Sequence, residues 1–170
     1  MPLKISWQSE AVGRQTKLSV PILQANLVLT LIEDIIVDAE WTMLDMAAPD
    51  TSCVLTKQVQ AYLLNPTQYS LKLNLLRQGS CYAQHVWNAL LEIPVGQVMS
   101  YSALAVKLGS GPRAVARACR NNPYAGIIPC HRVVAKQGIG GFMGETQGVF
   151  IALKQQLLAY ERNIANAEQP

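Results

Sequence analysis

No apolar run in this sequence approaches the roughly 20 residues that a bilayer-spanning helix needs, so no membrane span is expected. The opening stretch, MPLKISWQSE, has no apolar core followed by a small-residue cleavage site, and a signal peptide is not expected. Histidine is scarce: only His85 and His131 could join Cys53, Cys81, Cys119 and Cys130, and no two of these cysteines share a metal-ligand spacing. A zinc site is therefore not expected. Charge is scarce too, at 15% of residues against 50% apolar, which excludes a disordered tail and implies a folded core. No internal repeat or low-complexity tract interrupts it. These absences point to a cytoplasmic protein of one large domain or two small ones, whose cysteines stay thiols. At least two of the four are expected to be inert, buried small hydrophobes.

What is present divides unevenly. Residues 1–76 carry 5 Lys+Arg and 7 Asp+Glu, a balance of −2, whereas residues 77–170 carry 9 and 4, a balance of +5. Only the second half is suited to meet a polyanion. In the first half, segments 17–23, 26–32 and 35–42 are β-branched and leucine-rich, with Glu33-Asp34 as a polar break, and predict an antiparallel meander. A helix over 54–64 follows and stops at Asn65-Pro66, because a residue before proline is pushed out of helical geometry. No chemistry is visible here, so residues 1–76 read as a scaffolding α+β domain and 66–79 as the irregular link to a domain over 77–170.

The second half opens with a helix from Ser80, its cap, through Leu91, with Tyr82, Val86 and Leu90 as an apolar stripe. Ile93-Pro94 and Gly96 end it. Ser100 can cap a helix over 101–108, Gly109-Ser110-Gly111 forms a tight turn, and Pro112 suits the first position of a helix over 112–121. On that helix Arg113, Arg117 and Arg120 fall on one face, opposite Val115, Ala118 and Cys119. Two short helices about a glycine turn, the second basic outside, read as a helix-turn-helix. Arginines on a helix are more commonly just a solvated face. The small side chains of Ala114, Ala116 and Ala118 favour a helix that lies deep in a DNA groove.

Beyond Asn121-Asn122-Pro123, Ile127-Ile128 and Val133-Val134 have strand character, but Pro129 interrupts them and cannot donate to a ladder. Cys130 and His131 are thus presented at a break in extended structure. Sulfur is soft and accepts an alkyl group readily as thiolate, given a lowered pKa or an adjacent base such as His131. Neighbours on a strand point to opposite faces, so contact between the two would need a local twist or a bridging water. A Cys-His pair alone is a weak signal.

The surroundings of that pair are not weak. IPCHRVV, RAVARACRNNP before it, Val86-Trp87, IPVGQVMSY at 93–101 and the Lys154, Leu157, Leu158, Glu161 pattern resemble the O6-alkylguanine-DNA alkyltransferases, also called methylated-DNA–protein-cysteine methyltransferases. The likeness covers residues 80–161. It implies an α+β protein, with a small ribonuclease-H-like N-terminal subdomain carrying a short antiparallel sheet and a mostly helical, winged-helix-like C-terminal domain. It implies a single transfer of an alkyl group from O6-alkylguanine, and from O4-alkylthymine, to Cys130, without a cofactor, by a monomer acting on double-stranded DNA. His131 and Glu161 would form a relay that removes the thiol proton through a water. Asn122 would brace the turn after the recognition helix, Tyr101 would help flip the nucleotide and protonate the departing guanine, and Lys154 would assist from the pocket wall. Arg113 would fill the gap in the base stack, alongside Ser100, Ala114, Arg117 and Arg120 on the DNA, with Pro129, Val133, Gly141 and Phe142 lining the pocket. Without the family, Tyr101 could be a core aromatic, Asn122 a helix stop, and Lys154 and Glu161 ordinary charges flanking the stripe of Leu153, Leu157 and Tyr160.

Three departures from the family stand out: a shorter turn before Arg113, Phe142 in place of a tyrosine, and an insertion around MGETQGV between Phe142 and Lys154. Two rival functions remain. A lesion-binding protein on the same scaffold would lack the cysteine, so Cys130 argues against it. A hydrolase using Cys130 and His131 would need an oxyanion hole, which the sequence does not declare, and would leave the arginine helix without a role.

Overall fold

The segment ANLVLTLI is apolar at most positions, and it becomes the most enclosed strand of a five-stranded sheet. In a computed structural model of the chain, residues 2–43 and 53–168 are described. They cluster into two compact units, residues 1–78 with 123–127 and residues 79–122 with 128–170.

The first unit holds β1 (Leu3–Gln8), β2 (Gln15–Ile22), β3 (Ala25–Ile32), β4 (Ile35–Met43), α1 (Val54–Leu64) and β5 (Leu71–Leu76). Their order in the sheet is β1-β5-β4-β3-β2. The meander β2-β3-β4 is antiparallel as expected. Its two hairpins turn at Leu23 and Glu33, both with positive φ (53° and 55°). Glu33 offsets the cost of that backbone by accepting a hydrogen bond from the Arg14 amide at 2.7 Å. Pro21 lies on β2, an edge strand, where a missing donor costs no ladder bond.

Two strands correct the sequence reading. The expected link at 66–79 contains β5, and β1 precedes the meander; both pair in parallel, β5 with β1 and with β4. The sheet is therefore mixed, not purely antiparallel. The pattern LKLNLL alternates buried and outward residues, but Lys72 and Asn74 on its open face gave it an irregular look. Residues 123–127 return to this unit, where Tyr124 is fully buried and the Ala39 amide donates to Pro123 at 2.7 Å.

The second unit comprises α2 (Cys81–Leu91), β6 (Met99–Ser100), α3 (Tyr101–Lys107), α4 (Pro112–Arg120), β7 (Val133–Val134) and α5 (Val149–Ala167). Ser80 and Ser100 cap α2 and α3 by accepting from the Ala83 and Ala103 amides at 3.1 and 3.0 Å. Proline opens α4, whose Val115, Ala118 and Cys119 are buried. Trp87 of α2 is buried and donates its indole N–H to the Ala118 carbonyl at 2.8 Å, pinning the far end of α4.

Replacing Trp87 with phenylalanine keeps most of the ring but leaves that carbonyl unpaired. The unfolding free energy is expected to fall by about 1–3 kcal/mol, read as a lower urea midpoint. An unchanged midpoint would show that the bond does not hold α4.

Candidate active site

Pro129 determines the local backbone around the reactive pair. With no N–H to donate, it cannot extend a strand, and the chain bends so that the Cys130 amide donates back to the Ile128 carbonyl at 2.8 Å. Cys130–Arg132 then forms one turn of 3-10 helix before β7 pairs in parallel with β6. The expected break in extended structure at Cys130 and His131 is this turn. On a tight turn, adjacent side chains need not face opposite ways, which removes the geometric objection to their acting together.

All three residues of the turn are buried, and α5 supplies their partner. Glu161 Oε1 lies 2.8 Å from His131 Nε2. The same carboxylate accepts two bonds from Arg132, Nε to Oε2 and Nη2 to Oε1, both at 2.9 Å, while Arg132 Nη1 donates to the Ile93 carbonyl at 2.7 Å. Burial alone would raise the Glu161 pKa, but the charge and hydrogen bond of His131 and the two bonds of Arg132 hold it down at about 2. An ionised Glu161 fixes the proton of His131 on Nε2. The other nitrogen, Nδ1, is buried with no hydrogen-bond partner among the described residues, and it is an acceptor whenever the ring is neutral. Gly96 lets the loop after α2 approach this part of α5: its φ is +79°, and a Cβ there would lie 2.6 Å from Ala165 and 3.2 Å from the Glu161 carbonyl.

Around the sulfur, Asn122 donates its amide to the Ile128 carbonyl at 2.9 Å and also hydrogen-bonds Cys130. Burial pushes the Cys130 thiol up, and Asn122 and Lys154 only partly oppose it. That direction favours the neutral thiol over the thiolate. Cys119, buried on α4, is raised to about 12, by burial and then by Cys130. Tyr101 is likewise pushed to about 12, by burial and then by the two cysteines, so it remains a hydrogen-bond donor and a poor acid.

Lys154 is not a flank charge. It is completely buried, and its ammonium donates to the carbonyls of Val133, Ile139 and Gly141 at 2.7, 2.9 and 2.9 Å. It also sits 6.0 Å from the centroid of the Tyr101 ring. Burial lowers its pKa to about 8, which still leaves it charged at neutral pH. Its three donors close the loop after β7 into a wall. Phe142, buried in that wall, exchanges two 2.9 Å backbone bonds with Glu145, so the insertion starts as a hairpin through Met143 and Gly144, both with positive φ.

Of the DNA-facing candidates, Arg113, Ala114 and Arg117 are exposed on α4. Arg120 is exposed as well but rests over Gly144 of the insertion. Ser100 spends its hydroxyl on the α3 cap. Pro129 and Val133 are buried beside Cys130, and Gly141 is half-buried. The sequence reading missed Arg132 and Cys119. A lone arginine inside an apolar CHRVV run was a signal, because such a charge needs a buried carboxylate. Nothing marked Cys119. Among the described residues no three His, Cys, Asp or Glu side chains form a metal cluster, and no helix is long and apolar enough to cross a membrane.

A buried cysteine thus adjoins a histidine–carboxylate pair in the same unit as a basic two-helix motif. The family model of the 6-O-methylguanine DNA methyltransferase, DNA binding domain, matches residues 82–163, a little under half of the chain. Over 83 residues the chain is 42% identical to a probable methylated-DNA–protein-cysteine methyltransferase of Acanthamoeba polyphaga mimivirus, covering 48% of this chain and 56% of that protein. The chain spans about half the length of the curated relatives it matches. The crystal structure of Mycobacterium tuberculosis O6-methylguanine methyltransferase superposes with a TM-score of 0.71 and 27% identity, covering 91% of this chain and 97% of that one. The structure of Mycobacterium tuberculosis OGT in complex with DNA gives 0.67 and 28%, with 87% and 93% covered.

Because the Glu161 pKa is lowered from 4.5 to about 2, its ion pairs stabilise the fold fully above pH 4.5 and are lost as pH falls through about 2. Glu161→Gln should therefore destabilise the protein by a few kcal/mol at pH 7, since it leaves Arg132 charged and buried. The gap to the wild type should narrow as pH is lowered towards 2. Chemical unfolding at several pH values measures it; a gap independent of pH would contradict the ionised state of Glu161.

Proposed function

We propose that this protein repairs alkylated DNA by direct reversal, moving the alkyl group from O6 of guanine, and from O4 of thymine, to Cys130. The observation that carries the reading is the Cys130, His131 and Glu161 arrangement, whose carboxylate lies 2.8 Å from His131 Nε2 and leaves Nδ1 free to act as a base. Double-stranded DNA is the partner, met through the exposed arginines of α4.

The target carbon lies within the base stack, so the nucleotide must turn out into the protein. Arg113, exposed at the start of α4, fills the space it leaves. Once the base is bound, the thiol proton passes through a water to His131 Nδ1, and Glu161 stabilises the imidazolium. Sulfur attacks the alkyl carbon in line, the carbon–oxygen bond breaks, and its electron pair goes to the guanine oxygen. Tyr101, held protonated, donates a hydrogen bond to the departing base. The product is a thioether that no group here can expel, so each molecule acts once. The raised Cys130 pKa fits this order of events: the thiol is inert until the base arrives, and the relay, not a standing thiolate, supplies the nucleophile.

Incubation with duplex DNA containing O6-methylguanine should add one methylene to the intact mass, mapped to Cys130, and stop at one equivalent. Cys130→Ser should bind DNA normally and gain nothing. Turnover beyond one equivalent, or label on Cys119, would overturn the reading.

Arg113→Ala should slow transfer from duplex DNA far more than transfer from the free alkylated base, where nothing needs flipping. Arg117→Ala should weaken binding to any duplex and lower the salt slope by nearly one counterion. Rates on both substrates and a salt titration check this pair; equal slowing on duplex and free base would place Arg113 in the fold or pocket instead.

A further inference from the structure

The turn between α3 and α4 is short. Gly109, with φ +62°, and Gly111 have no neighbouring atoms within 4 Å of where a Cβ would stand. Pro112 and Arg113, which follow, are exposed. At these two glycines, packing does not set the height of the turn above the helices. Hydrogen bonds do so: the Gly109 amide donates to the Val106 carbonyl at 3.2 Å, the Ser110 amide to the Ala105 carbonyl at 2.9 Å and the Val115 amide to the Gly111 carbonyl at 3.1 Å, and Ser110 Oγ lies 2.7 Å from Tyr82 Oη on α2. The backbone bonds belong to the ends of α3 and α4 and move with those helices. The Ser110–Tyr82 bond ties the turn to α2, and it is partly shielded from water.

α2 thus grips α4 at both ends, through Trp87 at the Ala118 carbonyl and through Tyr82 just before the first turn. We infer that Tyr82 is a positioning residue for base flipping: its hydroxyl, through Ser110, fixes the turn that aims Arg113. This rests on the alkyl-transfer reading and extends it to a residue that touches neither DNA nor the reacting atoms. A tyrosine ring can fill the α2 stripe without its oxygen, so the fold itself does not require the hydroxyl. The function assigned to it is to hold the turn, three residues from the arginine, at one height. Losing the bond frees Arg113 to sample positions that do not enter the stack, while the pocket around Cys130 is untouched.

The test compares single-turnover transfer from duplex DNA and from the free alkylated base for Tyr82→Phe, Ser110→Ala and the double variant, with Ser110→Thr as the conservative replacement. Each single change should slow duplex transfer roughly two- to tenfold, the range set by one hydrogen bond, and leave the free-base rate as in the wild type. The double variant should be no slower than either single one, and Ser110→Thr, which keeps a hydroxyl, should retain the wild-type rate. Equal slowing on both substrates, no slowing on duplex, or multiplicative effects in the double variant would each overturn the tether. A wild-type protein that transfers from neither substrate would overturn the alkyl-transfer reading itself, and the tether with it. Wild-type transfer without a selective defect in the variants removes the tether alone.

Discussion

The second unit is organised around one buried carboxylate. Glu161 receives His131 on one oxygen and spans Arg132 with both, at 2.8 to 2.9 Å. Burying such a charge is costly unless its lone pairs are used, and here Arg132 makes two bonds to it and His131 a third. Arg132 in turn reaches the Ile93 carbonyl, so the turn of Cys130, the loop ending α2 and the middle of α5 meet at one ion pair. The geometry of the proposed relay follows from this. His131 cannot rotate, its Nε2 is taken, and only Nδ1 remains for the thiol.

Two other polar contacts serve the same end from different sides. Lys154, buried without a carboxylate, is satisfied by three carbonyls and folds the loop after β7 back on itself. Asn122 joins the end of α4 to the backbone before Pro129. Together they make the recognition helix, the cysteine turn and the pocket wall one framework. A base delivered by α4 would then meet a sulfur whose position is already determined, which is where most of the advantage of bound over free reactants arises. The hairpin of the insertion, lying under Arg120, adds a contact to the outer end of that helix.

Much of the C-terminal unit was legible because its signals are local. Serine caps, Pro112 at a helix start and the arginine spacing on α4 each act within a few residues, and helix ends fell within a residue or two of expectation. The pairing of Glu161 with His131 came from family likeness, not from spacing, since 30 residues separate them. Three features were hidden for physical reasons. β1 and β5 are joined by parallel pairing across most of the first unit, and no turn between them announces the partner. The 3-10 turn at Cys130–Arg132 is too short to have a periodicity. Lys154 was open to a surface reading because its three acceptors are backbone carbonyls, which leave no mark in the sequence.

The account rests on Cys130 being a neutral, buried thiol that gains its reactivity from His131 and Glu161 only when a base is bound. Thiolate absorbance in the ultraviolet, taken as the difference between wild type and Cys130→Ser in the absence of DNA, tests this most directly. The account predicts no thiolate from Cys130 at pH 7, with absorbance rising only above the ordinary thiol value of about 8.5. A full thiolate signal at neutral pH would contradict it, and would make the relay unnecessary.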